Sequence, residues 1–308
     1  MITSMRRHLV SINDLDAADI EDLLSNAAQL KREPRPSPPP LAGRVAALVF
    51  EKPSLRTRMS FDVGIYQLGG HAVYLSPAEV GLGRRESVAD VARVVSRYAD
   101  VAILRTFAHE TVEEFARYAS VPVINGLTDL EHPCQGLSDL FTLAEAKGAL
   151  RNLTLAYVGD GNNVANALVL CAAKTGLRLR LACPQGYEPD PRYLARAREE
   201  EADLILYHDA QSAVERADAV YTDVWASMGQ EAEYERRRRA FQGFQVNARL
   251  LALAQPDAIV LHDLPAHRGE EITDDVLDGP QSVVFQQAEN RLHMQKAILL
   301  ALLGRTNG

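Results

Sequence analysis

The sequence predicts an α/β protein built from two doubly wound parallel-sheet domains. The chain has 308 residues, about twice the length of a usual domain. Short apolar segments alternate with segments of helical periodicity, a pattern typical of βαβ units and parallel sheets. The alternation pauses near residues 147–151 and restarts at Leu153. We therefore expect a domain boundary at this pause.

The first half predicts three helices and three strands. Residues 13–30 repeat apolar side chains with a period near 3.6, and the proline-rich connector 31–40 cannot continue that helix. Ser87 and Asp90 form a capping-box-like start, and Gly69-Gly70 suits a helix end. The predicted helices cover residues 13–30, 55–68 and 87–98, and the predicted strands cover residues 44–50, 101–104 and 121–125.

The second half repeats the pattern around short apolar strands. The first of these strands is followed by the turn 159–163, which opens the next helix. The predicted strands cover residues 153–158, 177–182, 219–222 and 258–261, and the named helices cover residues 164–175 and 288–303. Further helical segments separate the later strands. This order again indicates a parallel sheet.

Composition and charge exclude several classes of protein. The net charge of −8 argues against nonspecific binding to nucleic acid, which requires a basic surface. Three cysteines in a long chain do not form the disulfide framework of a secreted domain. The start of the chain lacks the apolar run of a signal peptide, and residues 297–303 are too short to cross a bilayer. We therefore expect a cytoplasmic protein with no membrane partner.

Residues 52–58, Lys-Pro-Ser-Leu-Arg-Thr-Arg, indicate an anion site. They join a strand end to a helix N-terminus, where unpaired amides and the helix dipole attract negative charge. Ser54 and Thr57 add hydroxyls, and Arg56 and Arg58 add guanidiniums suited to phosphate or carboxylate. The alternative is a capped surface helix with solvated arginines.

Two more predicted strand ends in the first half carry polar side chains. Arg105 follows the strand 101–104, at the edge where open sheets bind ligands. His132 and Gln135 follow the strand 121–125 after a short loop, and they suit a carbonyl oxygen and an amide. A structural role for the histidine stays open. Cys134 is expected to be buried rather than nucleophilic.

In the second half, Gly159-Asp-Gly161 imitates the start of a dinucleotide fingerprint. The third glycine is missing, and no acidic residue closes the next strand. Asn162 and Asn163 can instead hold the polar end of a small substrate. The basic run 236–239 is interpreted as a solvated helix face, although so polar a segment beside a strand end could move as a lid.

The remaining two strand ends of the second half carry acidic residues. Asp223 is a candidate anchor for an ammonium group, with Ser227 as its neighbour. His262 and Asp263 follow the last strand. No third ligand lies at metal-site spacing, so no metal is expected.

Taken together, five motifs occur in the order found in the aspartate/ornithine carbamoyltransferase family, and the chain resembles this family along nearly its whole length. Ser-x-Arg-Thr-Arg at 54–58 and His-Pro-x-Gln at 132–135 are similar to motifs shared across the family. Asp-Val-Trp at 223–225 with Ser-Met-Gly at 227–229 resembles the ornithine branch.

The resemblance implies a fold, a reaction and a set of site residues. It implies a carbamoyl phosphate domain of residues 1–148, joined by a returning helix 288–308, and an ornithine domain of residues 149–287. The implied carbamoyl phosphate ligands are Ser54, Leu55, Arg56, Thr57, Arg105, His132, Gln135, Leu264 and Arg291. The implied ornithine ligands are Asn163, Asp223, Ser227 and Met228, and the implied catalytic residues are Arg56, Thr57, Arg105, His132 and Asp263. Family members use no cofactor or metal and form homotrimers or assemblies of trimers.

The chemistry of carbamoyl transfer agrees with these residue types. Negative charge grows on the carbonyl oxygen while phosphate leaves, so preorganised donors such as arginine and histidine stabilise the transition state. Two departures from the family stand out. Asp263 occupies the place of a usual cysteine, where it could pair with the ammonium or accept its proton. Gly81 occupies the place of a glutamine that in many relatives reaches a neighbouring subunit's carbamoyl phosphate.

Three alternatives remain at this stage. Because Asp263 replaces the usual cysteine, another amine acceptor, such as putrescine, lysine or an acylated ornithine, is one alternative. Because of the same replacement, a binding protein that has lost its activity is a second alternative. A nicotinamide-dependent oxidoreductase is suggested only by Gly159-Asp-Gly161.

Overall fold

The structure is a computed structural model that describes residues 7–83, 85–226 and 231–304. The chain divides into two compact units. One consists of Met1–Phe141 with Glu289–Gly308, and the other of Thr142–Ala288. Two long helices, α6 (Pro133–Lys147) and α13 (Val284–Leu303), have residues in both units. The second part of α13 packs in the first unit, where its Arg291 side chain bonds the Thr57 hydroxyl.

The first unit is a four-stranded parallel sheet with the order β2-β1-β3-β4. Its strands are β1 (Val45–Phe50), β2 (His71–Leu75), β3 (Val101–Arg105) and β4 (Val123–Leu127). Its other helices are α1 (Ala17–Arg32), α2 (Leu55–Gln67), α3 (Pro77–Val80), α4 (Val88–Tyr98) and α5 (His109–Tyr118). Strand β1 is buried along nearly all its length, as expected for a parallel strand covered on both faces.

The second unit is a five-stranded parallel sheet with the order β7-β6-β5-β8-β9. Its strands are β5 (Thr154–Val158), β6 (Arg178–Ala182), β7 (Leu204–Tyr207), β8 (Ala219–Thr222) and β9 (Ile259–His262). Its helices are α7 (Asn163–Thr175), α8 (Pro191–Glu199), α9 (Ala210–Val214), α10 (Tyr234–Ala240), α11 (Ala248–Leu251) and α12 (Asp274–Leu277). The two sheets confirm the predicted α/β class with two parallel-sheet domains.

In each sheet, the order in which successive strands are added reverses beside the first strand of the unit. In the first unit, β2 lies on one side of β1 and β3 on the other, and in the second unit β6 and β8 flank β5 in the same way. Open parallel sheets bind ligands in the crevice that forms outside the carboxyl ends of such strands. The fold therefore directs attention to the residues that follow β1, β3, β5 and β8.

Several element boundaries differ from the sequence prediction. The first helix begins at Ala17 rather than residue 13, because Asp16 caps it and a separate 3-10 turn, Ile12–Asp14, precedes it. The last helix begins at Val284, four residues before its predicted start. Strands β2 and β7 were not predicted, and both lie at a sheet edge. Within the described residues, no helix is both long and apolar enough to cross a membrane.

Candidate active site

The segment after β1 builds a helix N-terminus around Ser54 and Thr57. Ser54 caps α2, and its hydroxyl accepts the Thr57 backbone N–H at 3.2 Å. Thr57 is fully buried, Arg56 is half-buried, and Leu55 is 74% exposed. Arg58 is exposed and lies 3.8 Å from the centre of the Tyr74 ring. The cap leaves amides of the first turn without helical acceptors, which suits an anion.

The buried Thr57 hydroxyl accepts hydrogen bonds from two guanidiniums. Arg291 Nη2 lies 2.8 Å from Thr57 Oγ1, and Arg105 Nη1 lies 3.4 Å from it. Arg105 comes from the end of β3 and Arg291 from α13, so residues far apart in sequence meet at one oxygen. Two cations held this close repel each other, and an anionic ligand relieves that repulsion.

His132 is a neutral side chain beside these cations. Burial lowers its pKa well below 6.5, and the charges of Arg291, Arg105, Lys52 and Arg56 lower it further. The ring is therefore uncharged at neutral pH. Its remaining N–H can donate a hydrogen bond, but the ring does not act as an acid. Its buried Nδ1 has no hydrogen-bond partner among the residues the structure describes.

Gln135 and Cys134 lie in the first turn of α6, next to His132. Gln135 Nε2 donates to Asp139 at 2.9 Å, whereas its buried Oε1 has no partner within the described residues. The Cys134 thiol lies 3.4 Å from the Asn125 carbonyl oxygen, and burial raises its pKa to about 12. Cys134 is therefore a packed thiol rather than a nucleophile, as its sequence context predicted.

Lys52 is a residue of this site that the predicted set omits. Lys52 is 3% exposed, and its ammonium pairs with the Asp129 carboxylate and lies 4.4 Å from the Phe107 ring centre. Burial lowers its pKa, Asp129 raises it, and Arg105 lowers it further. From the sequence alone, a lysine between a strand and a helix is expected to be exposed to solvent. Its burial comes from residues at neighbouring strand ends, which are distant in sequence.

In the second unit, Asn162 and Asp223 join the ends of β5 and β8. Asn162 caps α7 through Oδ1, which accepts the N–H groups of Val164 and Ala165 at 2.9 and 3.2 Å. Its Nδ2 donates to Asp223 Oδ2 at 2.6 Å. The predicted ligand Asn163 is the first residue of α7. The contact to Asp223 thus comes from the neighbouring asparagine.

Asp223 and Asp263 lie side by side because β8 and β9 are paired in parallel with Thr222 opposite His262. Ligand atoms of Asp223, His262 and Asp263 all lie within 4.8 Å of one another. His262 Nδ1 accepts the Leu264 N–H at 2.9 Å, so its Nε2 carries the proton and donates to Glu271 Oε1 at 3.0 Å. Both ring nitrogens are used, and the remaining arrangement of two carboxylates suits an ammonium group.

Arg237 is the second residue that sequence reasoning missed, because the run 236–239 was interpreted as a solvated face. That interpretation is wrong for this residue, which is 7% exposed, whereas its three arginine neighbours are exposed. Its Nη1 donates to Asp160 Oδ2 and to the Trp225 carbonyl oxygen, each at 2.9 Å. Phe241, one helical turn later and fully buried, is the sequence signal that marks the inward face.

Asp160 is the anionic partner of Arg237 in the turn after β5. Burial raises its pKa to about 6, although Arg237 lowers it. Gly161, in the same turn, has no room for a side chain, since an added Cβ would lie 2.2 Å from the main chain of Glu188 and Pro189. Close packing therefore accounts for this glycine, with no appeal to a dinucleotide phosphate.

The remaining residues singled out in the sequence are Leu264, Gly81, Ser227 and Met228. Leu264 is half-buried with φ of 60°, and a cis peptide bond joins it to Pro265. Gly81 ends α3 with φ of 54°, in the left-handed region that favours glycine. Ser227 and Met228 lie outside the described residues. The structure thus brings Ser54, Arg56, Thr57, Arg105, His132, Gln135 and Arg291 to one unit, and Asn163, Asp223, Asp263 and Leu264 to the other.

Comparison with known proteins identifies the family. The carbamoyl-P binding domain of aspartate/ornithine carbamoyltransferases matches residues 7–145, and the Asp/Orn binding domain of the same family matches residues 151–302. An ornithine carbamoyltransferase of Syntrophus aciditrophicus is 54% identical over 302 residues, which cover 97% of this chain and 100% of the relative.

Solved structures give the same result. The ornithine carbamoyltransferase from Pyrococcus furiosus has a TM-score of 0.95 at 47% identity, covering 99% of this chain and 100% of that one. The anabolic ornithine carbamoyltransferase from Campylobacter jejuni has a TM-score of 0.93 at 38% identity, covering 97% and 100%. The resemblance in the sequence motifs is confirmed: the chain belongs to the aspartate/ornithine carbamoyltransferase family.

Proposed function

We propose that the chain transfers the carbamoyl group of carbamoyl phosphate to the δ-amine of L-ornithine, giving L-citrulline and phosphate. The observation that carries this proposal is the pair of guanidiniums on Thr57 beside a neutral His132, in a member of this family. Relatives about half identical to the chain are named ornithine carbamoyltransferase. These names favour ornithine over the other amines, a binding protein or an oxidoreductase.

We assign one substrate to each part of the chain. Carbamoyl phosphate belongs to residues 1–148 with 288–308, and ornithine belongs to residues 149–287. The proposed carbamoyl phosphate ligands are Ser54, Leu55, Arg56, Thr57, Arg105, His132, Gln135 and Arg291, together with Leu264, the one member of this set that comes from residues 149–287. The proposed ornithine ligands are Asn163, Asp223, Ser227 and Met228. The strand-end cations of the first unit and the strand-end carboxylates of the second support this division.

In the proposed reaction the first unit stabilises negative charge. The capped N-terminus of α2 with Arg56 holds the phosphate, and Thr57 orients Arg105 and Arg291 toward it. Neutral His132 donates to the carbamoyl oxygen, whose negative charge grows as the amine attacks. Preorganised donors of this kind are each worth roughly a hundredfold or more in rate.

The amine must lose a proton before it attacks. L-ornithine arrives with an ammonium on its side chain, and one of two adjacent carboxylates can bind that group while the other accepts its proton. We assign the proton to Asp263 and the binding of the amino acid to Asp223, which Asn162 and the Val224 N–H hold in place. The neutral amine then forms the C–N bond, the bond to phosphate breaks, and the second amine proton leaves with the phosphate.

A steady-state assay with a matched pair of variants tests the proposal. The purified chain is supplied with carbamoyl phosphate and ornithine, and citrulline and phosphate are measured together. Arg56→Gln should lower kcat/KM for carbamoyl phosphate roughly a hundredfold, whereas Arg58→Gln, whose guanidinium lies on Tyr74, should change it little. If the wild-type chain forms no citrulline at any pH, the proposed function is wrong.

The role of Asp263 has its own test. Putrescine, lysine and an acylated ornithine are offered beside ornithine to the wild type and to Asp263→Cys. We expect ornithine to be preferred by both, and the pH profile of kcat to move because the group that accepts the proton has changed. An identical profile in the two proteins would remove Asp263 from the chemistry.

We further propose that the chain forms a homotrimer or an assembly of trimers in the cytoplasm. Exposed apolar side chains on helices of the first unit support a subunit interface, among them Leu55, Met59 and Tyr98. The three cysteines are all buried and outside any disulfide, which supports a reducing compartment. Sedimentation velocity measures the assembly directly, and a monomer at micromolar concentration would refute it.

A further inference from the structure

Glu131 is a fully buried carboxylate that directly precedes His132. Burying a carboxylate costs several kcal/mol unless hydrogen bonds satisfy it. Its Oε1 accepts the backbone N–H of Ile12, and its Oε2 accepts the hydroxyl of Ser11, both at 2.7 Å. The residue beside the proposed catalytic histidine is therefore tied to a segment about 120 residues earlier in the chain.

That earlier segment is itself anchored to the sheet. The Leu9 N–H donates to the Val123 carbonyl oxygen at 2.9 Å, and the Asn125 N–H donates to the Leu9 carbonyl oxygen at 2.8 Å. The Asn125 side chain adds a hydrogen bond to the Val10 carbonyl oxygen at 2.9 Å. Residues 9–12 thus follow the edge of β4, the strand that leads to Glu131.

The main chain around His132 is held on both sides. The Glu131 N–H donates to Thr128 Oγ1 at 3.1 Å, and the Glu131 carbonyl oxygen accepts the Thr128 N–H at 2.9 Å. The His132 carbonyl oxygen accepts the N–H groups of Gln135 and Gly136 at 3.0 and 3.1 Å. Since the His132 Nδ1 has no hydrogen-bond partner in the described ranges, the ring depends on this main chain and on packing for its position.

We propose that Glu131 is a positioning residue for His132, and that residues 9–12 are the support against which it holds the histidine. The proposal rests on the proposed function, in which His132 donates to the carbamoyl oxygen. A displacement of about 1 Å in such a group lowers the rate by about a hundredfold. Loss of the Glu131 contacts should therefore lower kcat and leave the KM for ornithine unchanged, because the proposed ornithine ligands belong to the other unit.

Four variants of the full chain separate positioning from stability. Glu131→Ala removes both contacts, and Ser11→Ala removes one of them. Glu131→Gln can keep both, since its amide oxygen can accept the Ile12 N–H while its amide nitrogen donates to the Ser11 oxygen. Ile20→Ala, in the buried face of α1, lowers stability by roughly 2–5 kcal/mol without touching this network.

We expect kcat to fall about tenfold or more for Glu131→Ala and two- to fivefold for Ser11→Ala, with Glu131→Gln within about threefold of the wild type. Ile20→Ala should lower the unfolding midpoint and leave kcat unchanged. The nitrogen chemical shifts of the His132 ring, followed by NMR, should move in Glu131→Ala and return in Glu131→Gln.

Two results would overturn the inference. One is wild-type kcat and unchanged His132 shifts in Glu131→Ala, and the other is a Glu131→Gln protein as impaired as Glu131→Ala. Because the NMR shifts need no turnover, they still decide the role of Glu131 if the wild-type chain makes no citrulline. That last outcome would count against the proposed function alone.

Discussion

Replacing Arg237 by glutamine should weaken the second unit and its binding of ornithine. Arg237 connects the turn after β5, through Asp160, with the segment after β8, through the Trp225 carbonyl oxygen. Asn162 and Asp223 connect the same two segments through their side chains. The guanidinium therefore supports the loops that carry the proposed ornithine ligands, and its loss leaves a buried carboxylate without its cation.

The expected loss can be worked from the pKa of Asp160. This value is about 6 with Arg237 present, so the carboxylate is ionised at pH 7. Arg237 lowers the pKa of Asp160, so without the guanidinium this pKa rises further. The carboxylate can then take a proton, which limits this part of the loss to about 1 kcal/mol. The Trp225 carbonyl also loses a charged donor, worth about 2 kcal/mol. We expect a total loss of stability near 3 kcal/mol. The KM for ornithine should rise tenfold for every ~1.4 kcal/mol of this loss that weakens the loops carrying the proposed ornithine ligands.

The assay compares Arg237→Gln with Arg236→Gln, Arg238→Gln and Arg239→Gln. The four arginines share one helix, and only Arg237 is buried, so the three exposed variants should each stay within about 0.5 kcal/mol of the wild type. Urea unfolding is measured at pH 7 and pH 5.5, together with the KM for each substrate. At pH 5.5 Asp160 is mostly protonated in both proteins, so the destabilisation should shrink by about 1 kcal/mol.

Three outcomes would each contradict one step of this reasoning. If Arg237→Gln behaved like its exposed neighbours, the buried ion pair would contribute nothing measurable. If it were equally destabilised at both pH values, Asp160 would not be the group that responds. A rise in the KM for carbamoyl phosphate with no change for ornithine would contradict the assignment of this unit to the amino acid.

Three further predictions concern Thr57, Asp160 and Lys296. Thr57→Val should raise the KM for carbamoyl phosphate about tenfold, because Arg105 and Arg291 lose their shared acceptor, while Ser60→Ala, which removes only bonds to the Arg56 and Thr57 carbonyl oxygens, should not. The wild-type KM for ornithine should rise as pH falls through about 6, where Asp160 gains a proton and Arg237 loses its partner, and Asp160→Asn should remove that dependence. Burial lowers the pKa of Lys296 to about 8 from 10.5, so the unfolded chain binds the extra proton between these values and stability should rise with pH over this range. Urea titrations of Lys296→Met should lack this rise.

The fold followed from the sequence wherever a strand is buried on both faces. Strands β1 and β5 are continuous apolar segments with buried patterns, and both were predicted within a residue. Strands β2 and β7 were not predicted, and they lie at sheet edges where most of their residues are partly exposed. Hydrophobicity detects burial, so these two half-solvated edge strands give a weaker signal than the buried strands. The edge strands β4 and β9 are largely buried and were predicted.

The candidate site was predictable where its side chains directly follow strands. It was not predictable where side chains depend on partners that are distant in the sequence. Asp223 and Asp263 come directly after β8 and β9, so the alternation of strands and helices already places them at one sheet edge. Glu131 gives no such signal, because its partners Ile12 and Ser11 lie about 120 residues away. The low pKa of His132 likewise depends on its burial and on four cations from three separate segments, and no local spacing reveals their combined effect.

Gly161 shows why residue type alone does not identify a ligand. In the sequence, Gly159-Asp-Gly161 between a strand and a helix imitates the beginning of a phosphate-binding turn, where glycine lets a phosphate approach the main chain. In the structure the space beyond the Gly161 Cα holds the main chain of Glu188 and Pro189, 2.2 Å from any added Cβ. A glycine at such a position indicates only that another group lies close to its Cα. Because protein and phosphate demand the same absence of a side chain, the neighbour that fills the space decides between packing and binding, and in this turn the neighbour is the chain itself.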